Sequence, residues 1–126
     1  MSQEASPSNF IFSECVREIR SWEDENLPLS QSRIAFDLFM LIGHSSELSD
    51  PMTLKEIFNS LKYSERGTRY VLNHFIDGRW CEIVGHDQDK RFRLVVPTQQ
   101  LLDKLAEYRH QVLSKYESSH LAVNRS

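Results

Sequence analysis

The sequence predicts a mainly α-helical domain carrying one small β-hairpin, and three features of its 126 residues point there. Apolar residues recur at helical spacing through most of the chain, the pattern turns strand-like after Gly78, and cap signals at Thr53 and Ser64 mark two short helices separated by a tight turn. Helix, turn, helix and ribbon in that order make a winged helix-turn-helix, centred on residues 52–98 of a single domain spanning 1–126.

Taken in order, residues 1–6 are small and polar and are expected to form a flexible tail, as are 118–126. Ser6 followed by Pro7 offers an N-cap with proline in the first turn. Phe10, Ile11, Cys15, Val16, Ile19 and Trp22 then repeat at threes and fours, which predicts a helix from residue 7 to about Glu23 and no further than 25. The acidic run Glu23-Asp24-Glu25 would oppose the negative end of that helix, and so suggests its end. Ser30 is expected to cap the next helix. There Ile34, Ala35, Phe36, Leu38, Phe39, Leu41 and Ile42 make an apolar band wide enough for a central core helix, which Gly43 closes before a loop over 44–51.

In the central run, Thr53 and Glu56 have the spacing of a reciprocal capping box, and Met52 and Ile57 that of a hydrophobic staple. Leu54, Ile57, Phe58 and Leu61 give the buried face of this helix. Ser64 caps the following one, in which Val71, Leu72, Phe75 and Ile76 form the apolar stripe and Arg66, Arg69, Tyr70, Asn73 and Asp77 lie on the other side. Arginine pairs in bidentate fashion with guanine and asparagine with adenine, so this side is a candidate reader of duplex DNA, while the helix start offers free donors to phosphate. Ser64, Arg66, Thr68, Arg69, Asn73 and His74 are the candidate contacts. Strands are expected at 80–84 and 92–96 with a charged turn between, and the alternation places Phe92, Leu94 and Val96 inward and Arg91 and Arg93 outward. Lys90, Arg91 and Arg93 are therefore candidate contacts to backbone or minor groove.

Thr98 is expected to cap a last helix over 98–117, where Leu101, Leu105, Tyr108 and Val112 repeat at near-heptad spacing. This apolar length, with that of the first helix, predicts a homodimer whose interface includes Phe10, Ile11, Cys15, Ile19, Leu101, Leu105, Tyr108 and Val112. The lobe over 29–97 is then the DNA-binding part.

Net charge is −3, yet residues 62–93 hold seven Lys/Arg and five Asp/Glu, a local +2 on a body of −5. That distribution favours a defined footprint over indiscriminate coating of nucleic acid. The two cysteines, Cys15 and Cys81, fall on predicted apolar faces without a CxxC or Cys/His grouping, so no metal, disulfide or other cofactor is expected. The five histidines lie on separate elements, and no HExxH pair, glycine-rich phosphate loop or GxSxG turn suggests catalysis. No apolar run is long enough to span a bilayer and the amino terminus does not read as a signal peptide, so a cytoplasmic protein is expected.

Three stretches resemble the MarR family of bacterial transcription regulators. Residues 27–42, LPLSQSRIAFDLFMLI, are similar to the segment that opens the family's DNA-binding lobe, and residues 64–84, SERGTRYVLNHFIDGRWCEIV, to its recognition helix and first wing strand. Residues 89–98, DKRFRLVVPT, are similar to its wing signature. The resemblance implies a homodimer that inserts a recognition helix in the major groove and a wing tip at the minor groove or backbone. It also implies that Asp89 orients Arg91 toward DNA, and that a small-molecule effector of unstated identity is possible. Relatives that sense peroxide keep a cysteine in the first helix, where Cys15 stands here; a structural thiol is the expectation for it. The alternative is a winged helix used only for protein contact, consistent with the Glu65 and Asp77 carboxylates.

Overall fold

Along the chain run α1 (Phe12–Asn26), α2 (Arg33–Glu47), β1 (Met52–Thr53), α3 (Leu54–Ser60), α4 (Glu65–Asp77), β2 (Cys81–His86), β3 (Asp89–Pro97) and α5 (Gln99–Asn124). The computed structural model describes residues 11–30, 32–86 and 89–124, leaving out the side chains of 86–91 and 118–124. Two compact units result, a lobe over residues 28–105 and a helical unit formed by the chain up to residue 27 with the chain from residue 106 onward.

The lobe is built around α2. Ala35, Leu38, Phe39 and Ile42 are buried along it, as the wide apolar band requires, and α2 packs on α4 and β3. Its cap is Ser32, not Ser30: the Ala35 amide donates to Ser32 Oγ at 3.2 Å, while Ser30 sits in a turn at φ 46°. Leu29 is buried just before that turn, which sets where the helix can begin. Gly43 does not end α2, which continues to Glu47. A Cβ at Gly43 would come within 3.1 and 3.3 Å of the Leu105 methyls, so the missing side chain admits α5 rather than stopping α2.

Both caps around the turn are made as the sequence suggests. Glu56 N donates to Thr53 Oγ1 at 3.1 Å and Thr53 N to Glu56 Oε1 at 2.8 Å, while Gly67 N donates to Ser64 Oγ at 3.0 Å. Met52 and Thr53 also pair with Val95 and Leu94, so the expected two-stranded ribbon is a three-stranded antiparallel sheet in the order β1-β3-β2. A two-residue strand is too short to show alternation in sequence.

That third strand also overturns the expected inward face of the wing. Among the described side chains of β3, Val95 is the fully buried one, facing the same side as Ile83 and the buried Cys81, whereas Phe92 is 53% exposed and Leu94 and Val96 are half-buried. Val95 lies where β3 is flanked on both edges, and Phe92 lies beyond the reach of β1. The strands also extend further toward the tip than expected, to His86 and from Asp89.

At the end of α4 the Gly78 amide donates to His74 O at 2.9 Å, and Arg79, not the glycine, takes the left-handed conformation at φ 63°. Gly78 is small because a Cβ there would meet the Trp80 indole at 3.0 Å. Thr98 Oγ1 donates to Arg79 O at 2.6 Å and lies 3.4 Å from the Leu101 amide, tying this turn to the start of α5.

In the helical unit α1 starts at Phe12 after an N-cap, Ile11, that offers no side-chain acceptor; Ser6, Pro7 and Phe10 lie outside the described residues. The acidic run does not end the helix, which continues to Asn26, whose Nδ2 donates to Trp22 O at 2.9 Å. Glu23 is buried there because it has partners: the Tyr108 hydroxyl donates to its carboxylate, and Arg20 Nε lies 3.5 Å away. The Trp22 and Tyr108 rings stack at 5.7 Å, and Lys115 Nζ donates to Glu18 Oε1 at 3.1 Å.

Burial, with a smaller contribution from the neighbouring Glu82 carboxylate, pushes the Cys81 thiol up from 9.0 to about 12. An unfolded thiol ionises near its ordinary value, so the folded chain holds the proton longer and stability is intact below about pH 9 and declines above it. Chemical denaturation at stepped pH should show an alkaline loss approaching about 1.4 kcal/mol per pH unit from this group. Cys81→Ala should flatten it.

Candidate nucleic-acid interface

Helix α4 displays the chemistry the sequence singled out, though not with every residue expected. Thr68, Leu72 and Phe75 are its buried side. With about 3.6 residues per turn, the side directly opposite is Arg66, Tyr70, Asn73 and Asp77, all exposed. Glu65 and Arg69 lie on one flank of that face and His74 on the other. Ser64, at the start, spends its side chain on the Gly67 amide.

Thr68 is withdrawn from the expected contact set. It is 0% exposed, and its Oγ1 has no hydrogen-bond partner among the described residues. Spaced four and seven residues before Leu72 and Phe75, it falls on the core side by helical geometry, whatever its polarity.

Arg69 is exposed but occupied. Its Nη2 donates to Glu65 Oε2 at 2.9 Å, and its guanidinium lies over the Phe58 ring at 4.8 Å from the centroid. An exposed ion pair contributes little to stability on its own. Together with the cation–π contact, however, it orients the guanidinium along the flank toward α3 and away from the outward face. Tyr70 meets the His74 ring edge-on at 4.6 Å and 72°.

On the wing, Arg93 is exposed and lies opposite Gly85, next to the irregularity between Gly85 and His86. The side chains of Asp89, Lys90 and Arg91 are outside the described residues.

An open groove of about 820 Å³ runs beside α4, lined by Pro28, Leu29, Ile34, Arg66, Tyr70, His74 and Trp80 among others. Sequence reading did not anticipate it, because it forms between stretches far apart in the chain. The one available signal was Tyr70, an aromatic on the face predicted to be outward.

The residues expected in a dimer interface separate into two groups. Leu101 is 0% exposed within the lobe of its own chain and so has no surface left for a partner, while Leu105 is half-buried and abuts Gly43. Tyr108 is half-buried and committed to Glu23 and Trp22. Ile11 is exposed, and Cys15, Ile19 and Val112 are half-buried, all in the helical unit.

Among the described residues no group of three His, Cys, Asp or Glu could hold a metal ion, and no helix is long and apolar enough to cross a membrane.

Among the described residues, five helices, a three-stranded antiparallel sheet and a solvent-facing second helix of the helix-turn-helix make a winged-helix fold similar to that of solved MarR-type transcription regulators. Solved structures of that type superpose on most of the chain. The heme sensor protein PefR from Streptococcus agalactiae, in complex with heme, matches with TM-score 0.59 and 18% identity over 97% of this chain and 81% of that one. The reduced form of MarR from E. coli matches with TM-score 0.52 and 18% identity over 93% and 85%. The transcriptional repressor CouR, bound to a 23-mer DNA duplex, matches with TM-score 0.55 and 14% identity over 94% and 84%. No protein-family model matches the sequence. No curated protein matches it either.

Proposed function

We propose that the chain is a DNA-binding transcription regulator that acts as a homodimer, each protomer placing α4 in a major groove and its wing against backbone or minor groove. The observation that carries this is the composition of the outward side of α4. Arg66 and Asn73, side chains with bidentate base-pairing geometry, stand exposed two turns apart on the side opposite the buried one, in a fold shared with a repressor solved on duplex DNA. Arg93 and the basic wing residues Lys90 and Arg91 supply phosphate contacts. Self-association is supported by exposed apolar side chains on the helical unit, Ile11, Phe12, Val16, Leu113 and Tyr116, a surface suited to an isologous partner. Two copies of α4 related by a two-fold axis then meet half-sites about one helical turn apart.

The test is fluorescence anisotropy of the full chain on labelled duplex fragments over a range of salt. Binding should weaken steeply as salt rises, because each phosphate contact releases counterions. Arg66→Ala should cost about 1–3 kcal/mol on the preferred duplex and Asn73→Ala should relax base preference at one position per half-site. Absence of binding at low salt to any duplex of a genomic pool would favour a protein-contact role, to which the exposed Glu65 and Asp77 carboxylates are suited.

A further inference from the structure

The outward side of α4 holds one residue that the arginine-and-asparagine reading does not use. Tyr70 is 66% exposed, lies along the helix between Arg66 and Asn73, and also borders the groove lined by Pro28, Leu29, Ile34 and Trp80. Its ring is held: the His74 imidazole meets it edge-on at 4.6 Å and 72°, one turn along the helix. Arg69, beside it in sequence, is drawn off to the flank by Glu65 at 2.9 Å and by the Phe58 ring. The base-facing surface is thus narrower than the sequence implies and has an aromatic plate in its middle. A propped aromatic ring loses little freedom on binding, and an apolar contact in the major groove has one natural target, the C5 methyl of thymine.

We propose that Tyr70 is a specificity-determining residue that reads a thymine methyl in each half-site, and that Arg69 is a structural residue of α4 with no part in base choice. The inference rests on the DNA-binding reading above, and adds to it the chemical group that is recognised.

The experiment is selection of duplexes from a random pool by the full chain and by its Tyr70→Ala, Tyr70→Phe and Arg69→Ala variants, each first shown to be folded by circular dichroism and thermal melting. The parent should enrich a site with an invariant thymine that Tyr70→Ala no longer selects, while Tyr70→Phe and Arg69→Ala keep it. On the enriched duplex, replacing that thymine by uracil removes only the methyl and should weaken the parent about fourfold, the range for burying one methyl-sized group. The same replacement should leave Tyr70→Ala unaffected. An unchanged consensus for Tyr70→Ala, equal losses on uracil in both proteins, a Tyr70→Phe that behaves like the alanine, or a new preference in Arg69→Ala would each overturn the assignment while leaving DNA binding intact. A parent that enriches no duplex would instead remove the DNA-binding reading, and this inference with it.

Discussion

Leu101→Ala is expected to lower folding stability by about 2–5 kcal/mol, the range for emptying a fully buried leucine site. The side chain is 0% exposed and belongs to the lobe, in the first turn of α5 just after the Thr98 cap. The loss includes both the transfer of the removed methyls and the cavity that rigid neighbours leave behind. Urea denaturation measures the first quantity, and sedimentation equilibrium separates it from assembly. Self-association of Leu101→Ala should equal that of the parent under conditions where both are folded, whereas Ile11→Asp, on the exposed start of the helical unit, should weaken it with little change in stability. A Leu101→Ala protein that melts like the parent but dissociates more readily would return Leu101 to the interface that its near-heptad spacing suggested.

That case shows which parts of the molecule were legible in sequence. Chemistry confined to one turn of helix was readable. The Thr53/Glu56 box and the Ser64 cap form as expected because both partners lie within three residues of each other. The stripe of α4 was likewise readable from its period, apart from Thr68, whose polarity masks the core side on which helical phase places it. What failed depended on partners distant in the chain. Ser30 and Ser32 are equivalent caps in isolation, and the burial of Leu29 decides between them. Gly43 reads as a terminator until Leu105 is seen to need its space.

The wing failed for a related reason. Val95 and Val96 are both apolar, so the alternation of β3 can be read in either phase, and only pairing with Met52 and Ile83 fixes Val95 as the buried one. In the candidate interface, Arg66 and Asn73 were identified by residue type and periodicity alone. The diversion of Arg69 was not, since it needs Phe58 on the preceding helix as well as Glu65 on its own. Residue type therefore located the face, and packing between elements determined which side chains on it are available.

Tyr108→Phe should destabilise the chain by about 1–3 kcal/mol although it removes a single oxygen. The Phe ring can keep the stacking on Trp22, so packing is nearly conserved and the loss falls on Glu23. That carboxylate is 5% exposed and accepts from the Tyr108 hydroxyl; without it, the carboxylate keeps the largely exposed Arg20, at 3.5 Å, but loses its buried donor. A buried acceptor deprived of its donor costs more than the bond itself contributed. Glu23→Gln should be milder, because its amide oxygen still accepts from the tyrosine, and Glu23→Leu combined with Tyr108→Phe should recover much of the loss by removing both polar partners. The pH dependence gives an independent reading. Burial first, then the hydrogen bond to Glu23, raises the Tyr108 pKa above its ordinary 10.0. The unfolded phenol ionises near that ordinary value, so the tyrosine's share of stability is intact below pH 10 and lost above it. Alkaline denaturation should therefore be shallower in Tyr108→Phe than in the parent, even though the variant is the less stable protein at neutral pH. Equal alkaline slopes, or a Tyr108→Phe variant as stable as the parent, would show that Glu23 does not depend on this hydroxyl.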